Sequence, residues 1–241
     1  MTARKQGDEY TGLGLAIIIL IFWLLSTILL IATPISTLGI PGTLSGIGLR
    51  TFLHTGLFIV AHDAMHGNLA PGNVALNQQL GCIAITLYAG LPYEHCRKNH
   101  IQHHRFPAQA GDPDFHDGIN ANPLIWFCHF INNYLSRKYL TRFSSILIAI
   151  AAGLHYSCGF AYLNLFYFLL LPLCFSTVQL FFFGTYRPHG CQHQRRSKQS
   201  LDSKLIYFWS LISCYHFGLY HEEHHTFPRK SWFQLPSCEH S

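Results

Sequence analysis

Apolar positions along this chain fall in long uninterrupted runs, and several of the runs end at histidines. Residues 12–33 carry no charge and are long enough for the ~20 residues that a helix needs to cross a hydrocarbon core. Pro34, Gly39, Pro41, Gly42 and Gly46 then predict a turn-rich loop. A second run, from about 47 to 61, leads straight into His62. Residues 74–93 are fairly apolar, are interrupted by Asn77, Gln78 and Gln79, and lead to His100. Residues 105–122 are polar and turn-rich around Asp112-Pro113-Asp114, and 123–135 mix aromatic with polar side chains, as an interfacial helix would. Two strong runs follow, 143–161 and 163–184, divided near Asn164. A basic, polar loop at 187–204 precedes a shorter apolar segment, 205–218, which delivers His221. The fold class expected is an all-α integral membrane protein with four transmembrane helices plus interfacial helices.

Composition and charge support that reading. Apolar residues make up 49% and charged residues 11%, against about 25% charged in an average soluble protein. So little charge does not cover a soluble surface. The formal net charge of +5 is modest, and no basic run alternates with aromatics, which excludes nucleic acid as a partner. The eight cysteines show no C-x-x-C pair, so neither a zinc ribbon nor a disulfide framework is expected. The polar residues 1–10 are expected to be frayed. The run that follows Arg4 and Lys5 is too long for the apolar part of a signal peptide, and no convincing A-x-A-like site follows it. It reads as a retained transmembrane helix, with a signal peptide as the alternative. Fifteen of the sixteen Lys and Arg residues fall at 4–5, 97–105, 137–142, 187–204 or 229–230, the exception being Arg50. Cytoplasmic segments carry the positive charge, so both termini are expected on the cytoplasmic side. His62 and His100 share that side only if residues 74–93 do not cross, as an in-plane or re-entrant helix would not.

The chemistry sits in the histidines. His221, His224 and His225 form His-x-x-His-His, His100, His103 and His104 repeat it, and His62 and His66 stand four apart. Positions i, i+3 and i+4 share one face of a helix, so each box is expected to point its imidazoles the same way. Clustered imidazoles suit a transition metal. Eight nitrogens exceed what one ion takes and suit two ions with four or five ligands each. Imidazole alone does not decide between iron, copper and zinc. Apolar segments nearly free of carboxylates favour an all-histidine site over the Glu-rich sites of soluble di-iron bundles. Asp63, Asp114, Glu222 and Glu223 are expected to hold imidazole N–H groups rather than metal, the plain alternative being solvated polar residues. The scattered His54, His116, His129, His155, His193 and His240 read as ordinary core or surface histidines.

With their neighbours, these boxes resemble those of the membrane fatty-acid desaturase and hydroxylase superfamily, and more closely those of the bacterial-type β-carotene ketolase family. The resemblance is carried by Phe58-Ile59-Val60-Ala61-His62-Asp63-Ala64-Met65-His66-Gly67, by Asp112-Pro113-Asp114-Phe115-His116, by Phe183-Gly184-Thr185-Tyr186-Arg187-Pro188-His189, and by Cys214-Tyr215-His216-Phe217-Gly218 through His221 to Pro228, with Trp232 and Leu235-Pro236 beyond. It covers roughly residues 12–236 and treats 1–241 as one membrane-embedded domain. It implies a non-haem di-iron oxygenase with two Fe2+ ions, O2 and an external, ferredoxin-type electron donor. The iron site would lie on the cytoplasmic side. Such an enzyme turns β-carotene into echinenone and canthaxanthin by successive hydroxylation at C4 and C4′ and loss of water. Relatives carry a further ligand histidine before the last box, and His189 fits that place. His216 lies five residues before His221, about 140° around a helix, and is expected to support a ligand. The aromatic run Phe181-Phe182-Phe183 with Tyr186 either lines a substrate pocket or is lipid-facing or core packing. A fatty-acyl desaturase, a carotenoid 3-hydroxylase and, outside the enzymes, a metal-ion transporter are the competing readings.

Overall fold

The computed structural model describes residues 10–116, 118, 120–135, 137–158, 162–190 and 203–240. The expected frayed start (1–9), most of the basic loop (191–202) and the turn at 159–161 lie outside the described residues. Among the described residues every regular element is a helix. Helix α1 runs Thr11–Ala32 and α2 Ile35–Met65. Helices α3 (Val74–Ala89) and α4 (Tyr93–Arg105) follow, then α5 (Pro123–Tyr134) and α6 (Arg137–Cys158). A long helix, α7, spans Tyr162–Gly190. Helix α8 is Ser203–Cys214, α9 is the short His221–Thr226, and a 3-10 helix closes the chain at Trp232–His240.

The region 34–46, expected as a loop, is helical. Pro41 lacks an N–H and its ring clashes with the carbonyl four residues back. The chain absorbs this with a kink at Gly39, whose φ of 62° only glycine adopts cheaply. Helix α2 packs against α1, α3 and α7 and forms the centre of the molecule. Its inner face, with Leu57, Ile59, Val60 and Ala61, is closed off by Ala84, Ile85 and Tyr88 of α3 and Ile19 and Trp23 of α1. The outer face of α1 stays exposed at Ile18, Ile21, Phe22, Leu25, Ile28 and Leu29, as a lipid-facing surface would.

The buried guanidinium of Arg50 in α2 is held by the fold's own irregularities, with only Nη2 left without a hydrogen bond. Pro172 cannot donate to the carbonyl of Phe168, and α7 relaxes into a π-turn at Phe166–Leu170. Arg50 Nε donates to that carbonyl at 2.9 Å, while Nη1 donates to the Trp23 carbonyl at 2.7 Å and to Ser26 Oγ at 3.0 Å. The guanidinium also lies 4.7 Å from the centre of the Trp23 ring. Trp23 Nε1 donates to His54 Nδ1 at 3.1 Å and His54 Nε2 donates to the Tyr88 carbonyl at 2.8 Å, which ties α1, α2 and α3 together.

Three described helices are long and apolar enough to cross a membrane, namely α1, α2 and α7. The pair α3–α4, bent by 99°, qualifies only if counted as one broken span. The expected span at 143–161 exists as α6 but is not among these three. Contacts between helix ends fix how the elements run. Asn164, at the start of α7, donates to the carbonyls of Leu30, Ile31 and Thr33 at the end of α1. The opposite ends of α2 and α7 converge with α4 and α9 on the histidines.

Candidate metal centre

Each histidine reaches the centre for a local reason. His62 is on the last turn of α2 and His66 is its C-cap residue. His100, His103 and His104 lie on α4, which enters from Pro92 with Glu94 in its first turn, where negative charge suits the helix dipole. The third box does not continue α8 as expected. Helix α8 stops at Cys214, and Tyr215 and His216 take left-handed backbone with φ of 47° and 71°. Those strained residues are pinned: Tyr215 stacks on Phe52 at 4.6 Å and its hydroxyl donates to the Phe52 carbonyl, and His216 Nδ1 meets Ser210 Oγ at 2.6 Å. The turn then presents α9. Gly218 is required within it, since a Cβ there would come within 2.8 Å of the Phe183 ring.

Nine imidazoles gather in two adjoining groups: His62, His66, His100, His104 and His224 in one, and His103, His189, His221 and His225 in the other. Within each group the nearest ring nitrogens all lie within 4.8 Å of one another. The closest approaches are between Nε2 atoms: His66–His100 at 2.7 Å, His104–His224 at 2.9 Å, His189–His221 at 3.0 Å and His103–His225 at 3.1 Å. Two nitrogens bound at right angles to one ion at about 2.1 Å lie about 3 Å apart, and across it about 4.2 Å. Both groups match that spacing. They adjoin through His104 and His225, whose ring centres are 4.3 Å apart.

Electrostatics keeps the rings of the third box ready for metal. Burial first, and neighbouring imidazoles second, hold His221 and His224 well below the ordinary histidine range. The same two causes lower His225 to about 3. These rings are therefore neutral at pH 7, the form that binds metal. Buried Nδ1 atoms of His62, His221 and His224 have no hydrogen-bond partner.

The carboxylates divide. Both Asp112 oxygens lie 3.0 Å from His103 Nδ1, and the same carboxylate accepts the backbone N–H of Ala108 at 2.8 Å and of Asp114 at 2.9 Å. Burial raises the Asp112 carboxyl, but these contacts outweigh it and leave it lowered. Sequence reasoning passed over Asp112 in favour of Asp114. Asp114 Oδ2 is 3.9 Å from His103 Nδ1, and Asp114 Oδ1 accepts the Tyr134 hydroxyl at 2.5 Å. Asp63 is buried, with Oδ1 3.6 Å from His62 Nδ1 and Oδ2 accepting the Trp232 backbone N–H. Glu222 is exposed. His216 is fully buried among Tyr207, Tyr220 and Trp232, outside both groups. It reaches them through the backbone: its carbonyl accepts Tyr220 N–H, and the Tyr220 carbonyl accepts His224 N–H.

A cavity of about 60 Å³ adjoins both groups, touching His62, His100, His103, His221 and His224. Its walls are mostly apolar, from Phe58, Ile59, Met65, Phe130, Leu180 and Phe217. The run Phe181-Phe182-Phe183 with Tyr186 is absent from this lining: Phe181 and Tyr186 close on Trp126, Phe183 packs on Gly218, and Phe182 is exposed. Gly184 and Thr185 line the cavity instead, from a π-turn at Phe182–Tyr186 that the sequence did not announce.

The fatty acid desaturase family model matches residues 35–143 and 129–240. A beta-carotene ketolase of Paracoccus sp. (strain PC1) is 34% identical over 98% of this chain and 96% of that protein. Beta-carotene 4-ketolase 3 of Haematococcus lacustris is 40% identical over 78% of this chain and 59% of its own length. Zeaxanthin 4-ketolase of Chlamydomonas reinhardtii is 39% identical over 78% of this chain and 42% of its own length. The chain thus spans about half the length of these algal relatives. No solved structure matches it.

Proposed function

The chain belongs to the fatty acid desaturase family, and from that premise we propose that it is a membrane-bound, non-haem di-iron oxygenase that converts β-carotene to echinenone and canthaxanthin. The observation that carries the reading is the pair of all-histidine groups bordering an apolar cavity, in a chain akin along its whole length to a beta-carotene ketolase.

His62, His66, His100, His104 and His224 would hold one iron, and His103, His189, His221 and His225 the other. Iron bound there would supply, with O2 and electrons from a ferredoxin-type donor, an oxidant strong enough for the weak allylic C–H bond at ring carbon C4. The chain's own groups do the rest. Asp112 takes the Nδ1–H of His103 and so fixes the tautomer that turns the Nε2 lone pair towards His225. Asp63 stands to do the same for His62. The apolar walls, Phe58, Phe130 and Phe217 among them, exclude water and hold the ring against the imidazoles.

Helix-end contacts support four crossings, and the positive charge of the connecting segments supports the cytoplasmic side for the site. The start of α7 touches the end of α1, and the far end of α7 meets the far end of α2 at the histidines. His66 touches His100, so α3–α4 leave and return on one side. Tyr134, next to Asp114, is on that side too. The chain then has to cross along α6 to reach Tyr162, and its 22 residues rise about 33 Å.

Expression in β-carotene-producing cells, with chromatography of the carotenoids, tests the function. Ketones at C4 are expected. Alcohols at C3 would make it a 3-hydroxylase, altered acyl chains a desaturase, and metal uptake without oxidation a transporter.

A further inference from the structure

Thr185 differs from the half-buried threonines of the spanning helices. Thr27, Thr51 and Thr177 each donate their hydroxyl to the carbonyl four residues back, at 2.6, 2.8 and 2.8 Å, which is how a hydroxyl is normally satisfied inside such a helix. Thr185 is only 2% exposed, yet among the described residues its hydroxyl is not bonded to the carbonyl four residues back and its side chain borders the cavity instead. It sits in the π-turn Phe182–Tyr186 and lines the cavity beside the two histidine groups. It stands one turn before His189, on the same side of α7. The other polar pair of the cavity, Tyr134 and Asp114, is already bonded to itself. Next to Thr185 the cavity has room, since a Cβ on Gly184 would meet nothing within 4 Å.

A hydrocarbon ring offers this hydroxyl nothing. A ring that has been oxidised once offers it an alcohol. Resting on the ketolase reading, we propose that Thr185 is the positioning residue that retains the 4-hydroxy intermediate, by a hydrogen bond to its new hydroxyl, so that the same carbon is oxidised again. In the second turnover the remaining C4–H bond breaks and a second C4–O bond forms. One O2, two electrons from the donor protein and two protons are consumed, and one oxygen leaves as water. The geminal diol then loses one C4–O bond and one hydroxyl proton as a second water, leaving the ketone. A buried hydroxyl left unpaired is costly while a paired one is favourable, so the site gains affinity for its intermediate without needing polar walls that would repel the hydrocarbon.

Two readouts on Thr185→Val, a close match in shape without the hydroxyl, test this. In β-carotene-producing cells the ratio of 4-hydroxy to 4-keto carotenoid is expected to rise about tenfold, with the iron content of the purified variant unchanged and with Thr185→Ser restoring the wild-type ratio. Independently, metal-free protein in detergent is titrated with β-carotene and with 4-hydroxy-β-carotene, followed by tryptophan quenching. Wild type is expected to prefer the alcohol about fivefold, the yield of one neutral hydrogen bond, and Thr185→Val to lose that preference. If the valine variant does not accumulate, Thr185→Cys, a weak donor of similar size, is expected to lose it likewise. An unchanged product ratio, an unchanged binding preference, or loss of all oxygenation in an iron-replete valine variant would each overturn the proposal. If the wild type forms no oxygenated carotenoid, the ketolase reading fails instead, and the binding preference of the metal-free protein still decides the role of Thr185.

Discussion

At the scale of single residues, Asp112 is the carboxylate with most to do. It holds His103 and is itself held by two backbone N–H groups. Asp112→Ala is expected to lower metal affinity or activity about 10–100-fold, the usual cost of losing the partner of a ligand imidazole, whereas Glu222→Gln, at an exposed position, should leave both within twofold. Iron remaining after dialysis against a chelator measures this, and an iron-replete Asp112→Ala would contradict it. Arg50→Met removes three donated hydrogen bonds and leaves the buried carbonyls of Trp23 and Phe168 without that donor. A loss of about 3 kcal/mol is expected, read as a lower midpoint of thermal unfolding in detergent. His225 adds a pH effect in the metal-free protein. Its folded pKa of about 3 lies below the unfolded value of about 6.5. The unfolded chain therefore binds more protons between those values, and stability, full above pH 6.5, falls as the pH drops towards 3. An unfolding midpoint that does not change across that window would contradict the burial of the third box. From the sequence the two carboxylates of Asp112-Pro113-Asp114 are equivalent. Only the folded turn gives one to His103 and the other to Tyr134, and this is why Asp112 was not legible.

At the scale of elements, the sequence made all nine imidazoles visible but not their division. Each His-x-x-His-His was expected to point one way. In the fold, His100 and His104 join one group while His103 joins the other, and His221 and His225 join one while His224 joins the other. Helix geometry explains the split. At about 100° per residue, i+4 lies about 40° beyond i, and i+3 about 60° short of it. The i and i+4 imidazoles therefore stay together, as His62 and His66 also do, and the i+3 imidazole turns towards the neighbouring ion. Helices α4 and α9 thus exchange one histidine each, which holds the two groups side by side. His103→Ala and His104→Ala, adjacent in sequence, should then deplete different sites. Each is expected to lower the metal count from two towards one, and the double variant to lower it further than either. Equal loss in both single variants and no further loss in the double would mean one shared site. His189→Ala should lose iron, while His216→Ala, which acts only through the turn before α9, should keep most of it. The π-turn at Phe182–Tyr186 had no sequence signal, because the same residues fit an ordinary apolar helix.

At the scale of the whole molecule, the apolar runs marked the helices long and apolar enough to cross a membrane, but their lengths misled in two places. Helix α2 is 31 residues long because a kink at Gly39 replaces the expected loop. The polar residues of α6 keep it out of the helices that are apolar enough to cross unaided, although the contacts of its neighbours require its two ends to lie far apart. Cysteines at Val74 and Lys98 should both be labelled from the cytoplasm, and one at Tyr156, an exposed residue near the other end of α6, only from the opposite side. Labelling of Val74 and Lys98 from opposite sides would separate the boxes and break the shared site. The central claim is that these two histidine groups are two iron sites in one chain. Metal analysis of the purified, reconstituted wild-type protein tests it most directly: two irons per chain are expected, and one zinc with no iron would contradict it.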